Sequence, residues 1–193
     1  MRKIFCTFAA GMMTFLKYLL QLVVSPGQGW RDIARTAGDN SRKLAFSGLF
    51  PWLVVVGLSS FVRLLYVHDE GVADALLAGI INFGKFSVAY FMAPLIINSM
   101  ILQATDAYIS EDRLHILTAC AIGLLAAIAL LENCLPVSMT MLHFLPFFVG
   151  IVIWKGTEYL GVPSKDVGAF MILALLAIIA PPYVIGWLLG LIL

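Results

Sequence analysis

The chain has 193 residues, of which 62% are hydrophobic and 12% are charged. A soluble domain is about half apolar and about one quarter charged, so this composition excludes an ordinary globular protein. Twelve Lys and Arg residues against eleven Asp and Glu residues leave a formal net charge of +1. Because so small a charge provides no field that attracts nucleic acid, we predict a membrane protein that does not bind nucleic acid.

Residues 4–24 form the first apolar stretch, and its polar and small side chains recur every three or four positions. This spacing is typical of one stripe along a helix. A signal anchor that crosses the membrane is the alternative, but it would place the basic residues that follow on the outer side, which the positive-inside rule opposes. We therefore favour an amphipathic helix that lies in the cytoplasmic interface or docks on the bundle. The stripe consists of Thr7, Gly11, Thr14, Lys17, Tyr18, Gln21 and Ser25.

A short second helix is predicted to begin at Pro26, because proline suits the first helical position and a serine precedes it as a cap. Trp30 lies on its apolar edge, where an amphipathic ring is favoured at headgroup depth, and Arg31 and Arg35 lie opposite, near lipid phosphates. We predict that Trp30, Arg31 and Arg35 bind an anionic lipid or a protein partner. The alternative is an elbow that only orients the first span. Residues 1–43 are treated as one cytoplasmic or interfacial segment.

Residues 44–193 contain five further apolar stretches, each of about 18 residues or more. At 1.5 Å per residue such a stretch crosses a hydrocarbon core of about 30 Å, and a helix satisfies its own backbone groups there. We predict an all-α fold, a polytopic membrane helix bundle of five transmembrane helices preceded by the interfacial amphipathic helix. A short link makes the third and fourth spans antiparallel neighbours. The predicted spans are 44–66, 76–102, 114–131, 137–154 and 167–193.

The distribution of charge predicts the orientation. If the N-terminus is inside and five spans follow, ten of the twelve Lys and Arg residues lie on the inner side, and the other two, Arg63 and Lys85, lie within spans. By the positive-inside rule, the N-terminus is then inside and the C-terminus outside. The ten inner residues are Arg2, Lys3, Lys17, Arg31, Arg35, Arg42, Lys43, Arg113, Lys155 and Lys165, whereas the outer loops carry Asp69, Glu70, Asp74 and Glu132.

The second span is the most polar of the five. Lys85 lies near its middle, where a charged side chain costs about 2.5–3.5 kcal/mol on insertion scales. With Asn82 and Asn98 it forms a candidate intramembrane polar site, and Glu132 is its candidate partner across the bundle. Two interpretations stay open: the cavity of a small-solute or ion transporter or channel, or hydrogen bonds between spans that contribute about 0.6 kcal/mol each.

Motifs of enzymes are missing from the sequence, which contains no HExxH, no GxSxG, no P-loop lysine motif and no GxGxxG. The three cysteines are scattered and lack the CxxC spacing of a zinc site. We predict that the protein is not an enzyme and that it holds no metal and no cofactor.

Two short runs carry a resemblance to a known family. They are VSPGQGWRDI at 24–33, ahead of the five spans, and GVPSK at 161–165, ahead of a final aliphatic span. The chain resembles the bacterial branch of the Yip family, the Ypt/Rab-interacting multi-pass membrane proteins. The resemblance implies this architecture, in a bacterial cytoplasmic (inner) membrane, and no activity. Eukaryotic members act non-enzymatically in vesicle traffic and bind small GTPases, but their DLYGP run has no clear copy here, only GLFPW at 48–52, so GTPase binding is not carried over.

The sequence thus predicts a non-enzymatic multi-pass membrane protein that organises membrane, or binds partners, through its cytoplasmic face. The expected partners are membrane lipids, a protein partner, or further copies of the chain in a homo-oligomer. A small transporter or channel that uses the polar second span is the alternative.

Overall fold

The structure is a computed structural model that describes residues 2–36, 41–66, 71–104, 109–135 and 140–192. These segments are helical, and no strand occurs within them. The helices are α1 (Arg2–Val24), α2 (Pro26–Thr36), α3 (Ser41–Leu65), α4 (Val72–Ala104), α5 (Glu111–Cys134), α6 (Leu145–Leu160) and α7 (Val167–Ile192). Within α3, Ala45–Leu49 is π-helical and Ser59–Leu65 is a 3-10 helix, and a 3-10 turn at Thr140–Phe144 leads into α6.

Four helices, α3, α4, α5 and α7, are long and apolar enough to cross a membrane, as expected for an integral membrane protein. Each overlaps one of the predicted spans, and their ends differ by only a few residues. The proline pair Pro181–Pro182 lies inside α7, and the helix continues through it. The prediction of an all-α fold is therefore confirmed, and four of the five predicted spans correspond to helices that could cross a membrane.

The fourth predicted span, 137–154, differs from the helix in the structure. α6 has 16 residues, which is about 24 Å of helix and shorter than the hydrocarbon core. Pro146 stands in its first turn, where proline favours a helix start. Gly161 ends it in the left-handed conformation with φ 73°, and the N–H of Val162 donates to the C=O of Thr157 at 3.1 Å. Two local signals, a proline and a glycine, thus set the ends of α6.

α1 is docked on the bundle through a deep contact with α3. A Cβ added at Gly11 would lie 2.6 Å from Ser47, and one added at Gly48 would lie 2.8 Å from the Cβ of Phe15. Two successive turns of α1 therefore meet two adjacent residues of α3, so the helices cross steeply instead of running side by side.

The predicted boundary at residue 43 does not coincide with an edge of the core. α3 already begins at Ser41, and Phe15 of α1 and Trp30 of α2 belong to the same buried core as the bundle. Tyr18, which the sequence placed on the polar stripe of α1, is also buried. The outward side of α1 exposes large apolar side chains beside Lys17, among them Met13, Leu20 and Val24.

α5 lies at the centre of the bundle, since it is buried around most of its circumference. It contacts α3, α4, α6 and α7, as well as α1. Its many small residues allow these neighbours to approach closely. The prediction that the third and fourth spans are neighbours is confirmed, because α5 packs directly against α6.

α3 and α4 cross at a contact between two glycines. A Cβ added at Gly79 would lie 2.7 Å from the carbonyl oxygen of Gly57. The obstacle is backbone, which cannot rotate away as a side chain does. The two helices can approach this closely only while position 79 has no side chain.

Replacement of Gly79 by alanine is therefore expected to lower the free energy of unfolding by about 1–3 kcal/mol, the usual cost of overpacking. Reversible unfolding in detergent micelles measures this. Gly84 provides the matched control on the same helix, because a Cβ there meets nothing within 4 Å. Alanine at Gly84 is expected to be neutral or to stabilise by about 0.5–1 kcal/mol. Equal losses for the two variants would contradict the proposed close contact.

Candidate functional site: a basic pocket between α2, α5 and α6

α1 and α2 meet at a sharp corner in which Ser25 is the one residue outside both helices. α2 begins at Pro26 as predicted, and the N–H of Gly29 donates to the C=O of Ser25 at 2.8 Å. A Cβ added at Gly29 would lie 3.0 Å from the side chain of Leu22. The glycine therefore allows α2 to fold back tightly against the end of α1.

Trp30 anchors α2 to α6. Its side chain is only 2% exposed, and its Nε1–H donates to the C=O of Val152 at 2.8 Å. The indole stacks on the ring of Tyr159, with centroids 5.3 Å apart and an angle of 17° between the planes. A Cβ added at Gly156 would lie 3.2 Å from the indole, so this glycine makes room for the ring. The anchor thus combines a hydrogen bond with ring stacking.

This position corrects the prediction that Trp30 itself binds a lipid or a protein partner, because its ring is buried inside the protein. The ring faces the protein because a neighbouring helix offers its Nε1–H an acceptor and its face a stacking partner. Arg31 and Arg35 are exposed on the other side of α2, as the sequence predicted. The two arginines are thus available to a partner, and Trp30 holds the helix that carries them.

A pocket of about 280 Å³ opens beside the Trp30 anchor, and we call it the basic pocket. Three helices supply its cations: Arg31 comes from α2, Arg113 from α5 and Lys155 from α6. One carboxylate, that of Glu158, also lines it, so its net formal charge is +2. The complete lining is Gly27, Trp30, Arg31, Ala34, Arg113, Lys155, Glu158 and Tyr159.

Aromatic rings hold two of the three cations in place. The guanidinium of Arg113 lies 5.7 Å from the ring centroid of Tyr159 and donates to the C=O of the same residue at 3.3 Å. The ammonium of Lys155 lies 4.6 Å from the ring centroid of Trp154. Such cation–π contacts each contribute about 0.5–1 kcal/mol at exposed sites. They orient the two cations before any ligand arrives.

The basic ends of several helices are brought together around this pocket. Ser41 donates its hydroxyl proton to the carboxylate of Asp112, which joins the start of α3 to the start of α5. The Arg113 hydrogen bond joins the start of α5 to the end of α6. At the other end of the bundle, Tyr66 donates to the C=O of Asn133 and joins the end of α3 to the end of α5. These helix ends therefore form one face, which we call the basic face. It carries Arg31, Arg35, Arg42, Lys43, Arg113 and Lys155.

The intramembrane residues of the predicted polar site are distributed over two clusters. Lys85 lines a small cavity of about 40 Å³ together with Glu132 and Tyr183. Glu132 interacts electrostatically with Lys85, so the structure brings together the pair that the sequence suggested. The ammonium of Lys85 also lies 5.0 Å from the ring centroid of Phe86. A cavity of this size has room for roughly one or two water molecules.

Asn82 belongs to the second cluster, a network that joins α3, α4 and α5. Its Nδ2 donates to the Oγ of Ser60 at 3.3 Å, and Asn133 donates to the Oγ of Ser59 at 2.9 Å. Asn98 lies about 24 Å further along α4 at 1.5 Å per residue. The structure therefore does not gather Asn82, Lys85 and Asn98 into one site.

Sequence reasoning missed Arg113, Lys155 and Tyr159 as members of a site with Arg31. One signal was present, because Lys155 and Tyr159 are four residues apart and so share a face of α6. A buried tryptophan also needs an acceptor for its N–H. Neither signal identifies which helix meets α2. Among the described residues, no group of three His, Cys, Asp or Glu side chains is placed to hold a metal ion.

Comparison with known proteins yields no relative of this chain. No protein-family model matches it, and neither a curated protein nor a solved structure matches it. The resemblance to the Yip family therefore stays a prediction. Function has to be inferred from the geometry of the chain itself.

Proposed function

We propose that this protein is a non-enzymatic membrane-organising protein that binds anionic membrane surfaces through its basic face. The gathering of basic helix ends around the Trp30 anchor supports this proposal. α2 is fixed to α6, so Arg31 and Arg35 are presented on a rigid element. Basic residues near an anionic membrane surface contribute about 1 kcal/mol each.

The proposed topology has five crossings, with the basic face in the cytoplasm. The proposed fifth crossing uses α6 and the turn Thr140–Phe144 before it, which together extend about 34 Å, of which about 25 Å precedes Lys155. α1 lies in the cytoplasmic interface, in keeping with its steep crossing of α3 and its exposed apolar side. With this topology the N-terminus is inside, the C-terminus is outside, and the basic face obeys the positive-inside rule.

Membership of the bacterial branch of the Yip family is part of the proposal, and with it a place in a bacterial cytoplasmic membrane. It is supported by the runs at 24–33 and 161–165. The two runs also have structural roles: the first forms the corner and α2, and the second ends α6. Alternatively, the same face binds a protein partner or further copies of the chain in a homo-oligomer.

Transport is the second candidate, and the cavity beside Lys85 is the observation that favours it. That cavity is lined by groups from α4, α5 and α7, and Lys85 and Glu132 both line it. Its volume of about 40 Å³ is small for a solute site. We therefore place transport behind membrane organisation.

Replacing Arg31 and Arg35 together by glutamine tests the proposed function. The protein is reconstituted in phosphatidylcholine nanodiscs, and its capture of vesicles made from equal amounts of phosphatidylglycerol and phosphatidylcholine is measured by flotation. Loss of two cations near the surface is expected to weaken capture about 30-fold, and capture by the unmodified protein is expected to fall with added salt.

Replacing the same two arginines by lysine provides the matched control, because it keeps both charges. This variant is expected to retain most of the vesicle capture. If the glutamine variant captures anionic vesicles as well as the unmodified protein does, binding of anionic membrane by this face is wrong. Capture that is equal for pure phosphatidylcholine vesicles would be equally damaging, since the charge would then play no part.

A further inference from the structure

We propose that the basic pocket is a binding site for a phosphate group, carried either by an anionic phospholipid headgroup or by a soluble phosphate compound. This inference rests on the proposed function, because it assigns a particular ligand chemistry to one site on the basic face. It also goes beyond that function, since the proposed function needs only a diffuse basic surface that attracts anions and does not need a pocket.

The pocket carries an excess of positive charge. Arg31, Arg113 and Lys155 line one concave space from three different helices. The carboxylate that shares the pocket, Glu158, is exposed, and Asp112 beside Arg113 already accepts a hydrogen bond from Ser41. The remaining charge of +2 complements a phosphate monoester or diester, which carries one or two negative charges. The folded chain therefore keeps an excess of positive charge in this pocket, and a bound anion would reduce the repulsion between the cations.

The hydrogen-bond donors of Arg113 are held in a fixed orientation. A guanidinium has five N–H donors, and Arg113 directs one of them to the C=O of Tyr159. That bond and the contact with the Tyr159 ring fix the plane of the guanidinium, so its other donors are oriented in advance. Arginine forks match the oxygens of phosphate in bidentate fashion. The ammonium of Lys155, held over Trp154, adds a cation from the same helix as Tyr159.

The size and the walls of the pocket limit the ligand that it can hold. The pocket volume of about 280 Å³ lies close to the lower limit of about 300 Å³ for small-molecule sites. It therefore suits a phosphate group with a short alcohol attached. Trp30 and Tyr159 form a rigid apolar wall, because they stack on each other and are tied to α6. Basic pockets between membrane helices on the cytoplasmic side are typical sites for phospholipid headgroups.

Basic residues outside the pocket lack these features and so provide a control. Lys17 and Lys165 are exposed, and neither lines the pocket. Removing both changes the net charge of the chain by the same amount as removing Arg113 and Lys155. A difference between the two pairs therefore reports the pocket and not the overall charge.

The experiment titrates purified protein in neutral detergent by calorimetry with four separate probes: short-chain phosphatidylglycerol, inorganic phosphate, short-chain phosphatidylcholine and a polyglutamate peptide. Replacing Arg113 and Lys155 by glutamine is expected to weaken phosphatidylglycerol binding about 30-fold, since each lost cation contributes about fivefold. The Lys17→Gln and Lys165→Gln double variant is expected to bind as the unmodified protein does. Arg113→Lys, which keeps the charge and loses the fork, is expected to be intermediate.

The probes also distinguish the source of the phosphate. Inorganic phosphate should compete in either case, so the affinities decide: phosphatidylglycerol that binds much more tightly than inorganic phosphate indicates a headgroup site, whereas equal affinities indicate a soluble ligand. Equal weakening in the two double variants, tighter binding of the peptide, or binding of phosphatidylcholine equal to that of phosphatidylglycerol would overturn the proposal. A thermal unfolding curve for each variant confirms that it is folded.

The outcomes separate this inference from the proposed function. If the Arg31 and Arg35 variant loses vesicle capture while the Arg113 and Lys155 variant keeps phosphatidylglycerol binding equal to its control, the proposed function stands and the phosphate pocket is wrong. If phosphatidylglycerol binding depends on Arg113 and Lys155 while vesicle capture does not depend on Arg31 and Arg35, the pocket stands and capture of membranes by this face is wrong.

Discussion

Replacing Trp30 by alanine is expected to lower the free energy of unfolding by about 3–5 kcal/mol, the range for loss of a large buried aromatic side chain. Three interactions disappear together: the hydrogen bond to Val152, the stack on Tyr159 and the contact with Gly156. Because these interactions hold α2 on α6, the basic pocket should lose one wall as well. Reversible unfolding in detergent micelles measures the loss of stability.

Two further tryptophan variants separate the contributions. Trp30→Phe keeps a ring against Tyr159 and removes only the N–H donor, so it is expected to cost about 0.5–1.5 kcal/mol. Trp187→Ala is the control for loss of an exposed ring, since Trp187 is 68% exposed, and we expect a change within about 0.5 kcal/mol. A Trp30→Ala variant as stable as the Trp187→Ala variant would show that α2 is not anchored by this ring.

The second large effect is expected where Phe15 of α1 passes between two glycines of the bundle. Phe15 is fully buried, and a Cβ added at Gly123 would lie 2.7 Å from its Cζ. Phe15→Ala is expected to cost about 3–5 kcal/mol because it leaves a cavity between α1, α3 and α5. Gly123→Ala is expected to cost about 1–3 kcal/mol because the new methyl group displaces the ring.

Coupling between these two positions tests the contact itself. Leucine at Phe15 lacks the atom that meets the new methyl group, so Phe15→Leu combined with Gly123→Ala should cost less than the two single changes added together. The expected difference, from a double-mutant cycle in the same unfolding assay, is about 0.5–3 kcal/mol. Gly168→Ala controls for the helical substitution, because a Cβ there meets nothing within 4 Å. Strict additivity would mean that Phe15 does not pack on Gly123.

Both predictions concern α1 and α2, whose packing on the bundle was the hardest feature to predict from the sequence. It predicted α2 and its starting residue Pro26, because a cap and a proline act within a few neighbouring residues. It placed the ring of Trp30 on the surface, since a helix of mixed polarity fits a lipid interface as well as a groove between helices. The side on which Trp30 lies depends on α6, more than 100 residues away in the chain.

The ends of α6 show the same division between local sequence signals and tertiary contacts. Pro146 and Gly161 are local signals, and the helix begins and ends beside them. The sequence interpretation instead ended the span before Lys155, where the apolar stretch stops. In the structure the helix continues past Lys155 to Leu160. Lys155 lies over Trp154 and lines the basic pocket.

The sequence by itself determined the all-helical class, the four long apolar helices and the concentration of basic residues near certain helix ends. These properties depend on composition and spacing along a single segment, where each residue contributes independently of distant ones. Tertiary structure alone decided that Trp30 meets Tyr159, that Phe15 enters between Gly48 and Gly123, and that Arg31, Arg113 and Lys155 share a pocket. Such contacts depend on how each helix is rotated against its neighbours. That rotation is set by the fit of large side chains against glycines, which exists only once all the helices pack together.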